Sequence, residues 1–112
     1  MPWILDTDPG VDDAAAIIGA IRLSLGLVGI TVVHGNVSLE QTVTNSLRLK
    51  DLLNSDVPIY PGASRPLLQK PIHAPEVHGR DGFGDLQWPP LKSSPETIHG
   101  ALFLIETARR YQ

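Results

Sequence analysis

Apolar residues along this chain fall into short runs and helical stripes that alternate, and the alternation predicts the fold. Trp3-Ile4-Leu5 is a brief apolar run cut off by the polar, turn-forming cluster Asp6-Thr7-Asp8-Pro9-Gly10, which reads as a strand and then a loop. From Asp12 the segment DDAAAIIGAIRL is rich in good helix formers, with two carboxylates at its start where the helix dipole favours negative charge. It is expected to be a helix buried on much of its surface. Leu27–Val33 is a nearly continuous β-branched and apolar run, the pattern of a strand covered on both faces of a parallel sheet. His34-Gly35-Asn36 closes it. Ser38 and Gln41 have capping-box spacing, and Val43, Leu47, Leu49, Leu52 and Leu53 continue at helical intervals. Val57–Tyr60 is a third short strand. Residues 63–94 hold five of the ten prolines and show no period, which predicts a long loop of the kind that carries function. Ser94-Pro95 then offers an N-cap with proline at the first helical position, and Ile98, Ala101, Leu102, Ile105 and Ala108 form an apolar stripe to the end.

Strand, helix, strand, helix, strand, loop, helix is the order of an α/β fold: an open, mostly parallel sheet with flanking helices. At 112 residues the chain fits a single domain, able to bury roughly 65% of its unfolded surface. A strand after the last helix would be its natural continuation. Without it a sheet edge stays unpaired, and that predicts association, a homo-oligomer being one form of it.

Composition narrows the function classes. Charged residues make up 19% and hydrophobic residues 42% of the chain, ordinary values for a folded globular protein. The net charge of −3, with Lys and Arg scattered, provides no basic field for nucleic acid. Cysteine is absent, which removes disulfides, thiolate metal sites and cysteine nucleophiles. No apolar stretch reaches the roughly 20 residues that span a bilayer, and no basic n-region precedes a long apolar one. No membrane is expected, and the cytosol is the default location.

The chemistry concentrates at the end of the first strand. Asp6, Asp8, Asp12 and Asp13 place four carboxylates within eight residues, at the strand end where open α/β sheets bind ligands. One such aspartate could simply cap a helix or sit solvated in a turn. Four together repel one another, and Pro9-Gly10 folds the two pairs toward each other. A divalent cation resolves the repulsion, and oxygen-only ligands suit a hard one such as calcium or magnesium.

The stretch Asp6-Thr7-Asp8-Pro9-Gly10-Val11-Asp12-Asp13 resembles the D-x-D-x-G-x-D-D signature of the inosine-uridine preferring nucleoside hydrolases. Further matches follow in that family's order: His34-Gly35-Asn36, Pro61-Gly62-Ala63-Ser64-Arg65-Pro66-Leu67, and Val77-His78-Gly79 with Gly82. The resemblance implies a Rossmann-like nucleoside hydrolase fold, represented here by a partial domain over residues 1–112 whose segment 63–94 is the active-site loop. It implies calcium-dependent hydrolysis of ribonucleosides to free base and ribose. Asp8 would be a calcium ligand and the general base that activates water on the metal, and Asp13 a bidentate calcium ligand. Asp6 would support the metal shell, Asp12 and Asn36 would hydrogen-bond the ribose hydroxyls, and His78 would approach the departing base.

Complete family members are more than twice this length, and their later part supplies another metal-binding aspartate, a threonine carbonyl and a leaving-group histidine. None has a counterpart here, so the isolated chain is expected to hold part of the site and to be inactive alone. Two other readings stay open from sequence: a non-catalytic metal- or ribose-binding module, and a phosphotransfer domain of the haloacid dehalogenase type. The last fits poorly, since Pro9 stands directly after the second aspartate and Asp12-Asp13 has no place in that pattern.

Overall fold

The computed structural model describes residues 1–70 and 80–112. The elements run β1 (Trp3–Thr7), α1 (Val11–Arg22), β2 (Leu27–Val32), α2 (Leu39–Leu52), β3 (Ile59–Pro61) and α3 (Gly100–Arg110). The strands form one parallel sheet in the order β1-β2-β3, with Leu5 beside Ile30 and Ile30 beside Ile59. This is the α/β architecture with flanking helices that the alternation predicts.

Strand pleating sends successive side chains to opposite faces. Ile30, Val32 and Ile59 face α1 and α2, where they meet the buried Ile17, Leu47 and Leu49 in the main core. Ile17 is wholly enclosed there. Its burial contributes about 2–3 kcal/mol, and truncation to alanine would cost more because a cavity remains. On the other face Phe103 of α3 stacks on Tyr60 with ring centroids 3.8 Å apart. The sheet is thus covered on both sides at β2, as its unbroken apolar run requires.

Three local expectations change. Within α1 only Ile17 is fully buried, flanked by the partly buried Ala14 and Ile21, so the helix buries one stripe rather than most of its surface. In α2 the apolar spacing misplaces the inner face: Leu52 is exposed, whereas Thr42, Asn45 and Ser46 are buried with Leu47 and Leu49. Two of those polar groups reach carbonyls outside the helix: Thr42 Oγ1 donates to the Val33 carbonyl at 2.9 Å and Asn45 Nδ2 to the Pro9 carbonyl at 3.2 Å. The last helix begins at Gly100 with His99 as its cap, Nδ1 accepting from the Ala101 N–H at 3.1 Å. Ser94-Pro95 does not start it, because the Glu96 N–H donates to the Ile59 carbonyl at 2.8 Å and holds that stretch against the sheet.

Residues 63–70 and 80–99 contain no helix or strand, and residues 71–79 of the expected 63–94 loop lie outside the described residues. The 80–99 stretch lies along α2: Asn45 Nδ2 donates to the Asp81 carbonyl, Arg48 approaches the Asp81 carboxylate at 3.8 Å, and Asp51 accepts from Lys92 and Ser93. Among the described residues no helix is long and apolar enough to cross a membrane.

Candidate metal and ribose site

Asp8 leaves the carboxyl end of β1, while Asp12 and Asp13 open α1 after the buried Pro9-Gly10 turn. Asn36 arrives from beyond β2, because the parallel pairing of β1 with β2 brings both strand ends to one edge. Sequence neighbours Asp8 and Asp13 therefore meet a residue 28 and 23 positions away, respectively.

Asn36 joins them. Its backbone N–H donates to Asp8 Oδ2 at 3.0 Å, and its Nδ2 donates to the Asp8 carbonyl at 2.7 Å and to Asp13 Oδ2 at 3.3 Å. Asp13 is held from the other side by the Thr7 hydroxyl, which donates to Oδ1 at 2.7 Å, and by the Gly10 N–H at 3.4 Å. Gly35 makes the approach feasible: a Cβ there would overlap the Asp8 carboxylate. The His34 N–H bonds the Ala63 carbonyl at 3.1 Å, so the Pro61–Arg65 stretch braces the same loop.

The electrostatics match the crowding. Burial pushes the Asp8 carboxyl above its ordinary value; the Asn36 N–H pulls it back, and the nearby Asp13 and Asp12 charges push it up again. Net, the ionised form of Asp8 is penalised in the metal-free protein.

The structure brings Asp8, Asp13 and Asn36 together. Asp12 is exposed on the first turn of α1 beside them. Asp6 points to the α3 face, where Oδ1 accepts from the Thr31 hydroxyl at 2.6 Å, and the hydrogen bonds joining the other three residues do not include it. His78 lies outside the described residues. Among the described residues no group of three or more His, Cys, Asp or Glu side chains is assembled to hold a metal; Asp8 and Asp13 make a pair. Sequence reading passed over Thr7, Gly35 and Asn45. For Asn45 a signal existed, since Thr42, Asn45, Ser46 and Leu49 share one helical face.

The family model for inosine-uridine preferring nucleoside hydrolases matches residues 3–112. The chain belongs to that family. Similar proteins include the pyrimidine-specific ribonucleoside hydrolase RihB of Escherichia coli, 38% identical over 105 residues, which are 93% of this chain and 34% of RihB. An uncharacterised Schizosaccharomyces pombe protein is 40% identical over 111 residues, 97% of this chain and 36% of that one. Among solved structures, a purine-preferring ribonucleoside hydrolase from Gardnerella vaginalis superposes with a TM-score of 0.84 at 34% identity, over 99% of this chain and 37% of its own. An inosine-guanosine nucleoside hydrolase gives 0.88 at 35%, over 96% and 34%. The chain thus spans about a third of the length of the relatives it matches.

Proposed function

We propose that this chain supplies the acidic, sugar-binding part of a calcium-dependent nucleoside hydrolase site, which cleaves the N-glycosidic bond of ribonucleosides to free base and ribose. The observation that carries the reading is Asn36, which donates to Asp8 and Asp13 at once and so fixes two carboxylates that otherwise repel. Membership of the nucleoside hydrolase family supports the reaction class. The similar proteins are named for different preferences, pyrimidine for one and purine for another, which leaves the substrate as ribonucleosides in general.

The residues present fit a hard cation. Asp8 and Asp13 offer carboxylate oxygens, and the upward push on Asp8 is relieved when a positive charge sits beside it. Calcium takes about six to eight oxygens, so this pair is a partial cage. Calcium held by Asp8 and Asp13 would supply Lewis-acid chemistry, lowering the pKa of the attacking water.

Asp8 accepts the proton of that water as general base. Asp12 and Asn36 hydrogen-bond the ribose hydroxyls; with its Nδ2 committed to Asp8 and Asp13, Asn36 presents Oδ1 as an acceptor. Water adds to the anomeric carbon as the bond to the base breaks; the base leaves with the bonding pair and takes a proton from solvent, and the carboxylates stabilise the oxocarbenium-like transition state. Asp6, through Thr31, supports the strand ends beneath the site, and His78 is assigned to the base end by resemblance alone.

Topology supports the location. Helices α1 and α2 lie on one face and α3 on the other. With right-handed crossovers, a helix on that second face leads back toward the free edge of β1. A strand placed there would reverse the strand order beside β1 and make the carboxyl end of β1 the switch point where such sheets bind ligands.

A chimera in which this chain replaces the matching third of RihB tests the proposal. Calcium-dependent release of base from uridine is expected, falling by about 10²–10⁴-fold on Asp8→Ala. A folded chimera without turnover would refute it.

A further inference from the structure

We infer that Asn45 is a positioning residue for the acidic turn, a single buried amide that couples the Asp8–Asp13 geometry to the 80–85 turn of the long loop. The inference rests on reading the acidic turn as the ligand site. Asn45 stands on α2 with no exposed surface. Its Nδ2 donates to two carbonyls from distant parts of the chain, Pro9 at 3.2 Å and Asp81 at 2.5 Å. Its Oδ1 accepts from Gln41 Nε2 at 3.0 Å and from Arg48 Nη1 at 3.4 Å, which fixes the amide in this orientation.

Pro9 is the centre of the turn that folds Asp8 onto Asp13, so the carbonyl Asn45 holds sits between the two proposed ligands. Asp81 opens a tight turn of its own, in which the Phe83 and Asp85 N–H groups donate to its Oδ1 at 2.8 Å. Arg48, the neighbour of Asn45, also approaches the Asp81 carboxylate. Gly82 seals the junction. At φ +85 it runs so close that a Cβ would lie 2.9 Å from Asn45 Nδ2 and 3.1 Å from the Pro9 carbonyl. A leucine at position 45 would fill the core equally well; only an amide serves both carbonyls, and a buried carbonyl left without a donor is costly. One donor group shared by two turns makes displacement of either a displacement of the other.

Amide hydrogen exchange followed by NMR on the metal-free chain separates positioning from general stability. In Asn45→Asp, isosteric but unable to donate, the Gly10 and Asn36 N–H groups that bond Asp13 and Asp8 are expected to exchange about tenfold faster, while the Ile30 N–H in the sheet changes little. Gly82→Ala perturbs the junction from the loop side and is expected to give the same local pattern without touching Asp8 or Asp13. Uniform loss of protection at all three amides, or unchanged exchange at Gly10 and Asn36, overturns the inference. If Asn45→Asp does not fold, Gly82→Ala alone decides by the same comparison. Calcium titration of the same wild-type sample reports on the ligand reading separately, so failure there is told apart from failure of the coupling.

Discussion

Asp8 and Asp51 are the same residue type in opposite circumstances. Asp51 stands on α2 at the surface. Desolvation pushes its carboxyl upward, yet donors from the Lys92 N–H, the Ser93 hydroxyl and the Ser93 N–H outweigh it and hold the group below its ordinary value. Asp8 is pushed up by burial, receives the N–H of Asn36 and, more weakly, its own, and faces the negative charges of Asp13 and Asp12. A carboxylate given enough donors is already satisfied and serves the fold by pinning the loop. One with fewer donors, beside its own kind, is held above its ordinary value, and a cation placed beside it would relieve that push. Supply of donors, more than exposure, separates the structural aspartate from the proposed ligand here.

Gly35→Ala tests the acidic turn most severely. The new methyl group overlaps the Asp8 carboxylate, with an expected loss of about 1–3 kcal/mol in urea unfolding and of any calcium response. Retention of both would mean that Asp8 need not sit where Asn36 holds it. Asp51→Ala should cost about 1 kcal/mol by the same assay, the low end for bonds to a charged group because the site is exposed. Its calcium response should be unchanged, and a loss would break the division between the two aspartates. Asp8→Asn should raise the melting temperature of the metal-free chain slightly, since it removes a penalised charge, while abolishing stabilisation by calcium.

Dependence on pH is the finest test. Asp51, with a lowered value, contributes stability present above the ordinary carboxylate value of 3.8 and lost as pH falls through its folded value. Asp8, with a raised value, has the opposite sign: its favourable contribution is present below 3.8 and lost as pH rises through the folded value. Urea melts across the acidic range should therefore show Asp51→Asn and Asp8→Asn diverging from the wild type in opposite directions at neutral pH. Both should converge on it in acid. Slopes of equal sign would show that the two carboxylates share one environment.

Much of this was legible in the chain. The order of elements followed from the apolar runs, because burial on both faces leaves β2 little freedom of composition. The acidic motif announced itself through spacing, and its meeting with Asn36 follows once β1 and β2 are parallel. What stayed hidden depends on contacts between distant segments. Ser94-Pro95 has the local chemistry of a helix start, but the bond from Glu96 to Ile59 overrides it. Leucine spacing pointed α2 toward Leu52, yet the helix turns inward the polar groups that carbonyls at the strand ends require. Asn45 looks like a surface asparagine until Pro9 and Asp81 are seen on either side of it.

The central claim, that Asp8 and Asp13 form a calcium half-site, is tested most directly by calorimetric titration of the purified chain with calcium, beside Asp8→Ala and Asp13→Ala. Saturable binding at roughly 10⁻⁴–10⁻³ M is expected, weak because the cage is partial, and lost in both variants. No binding by the wild type, or equal heats from all three proteins, would contradict it.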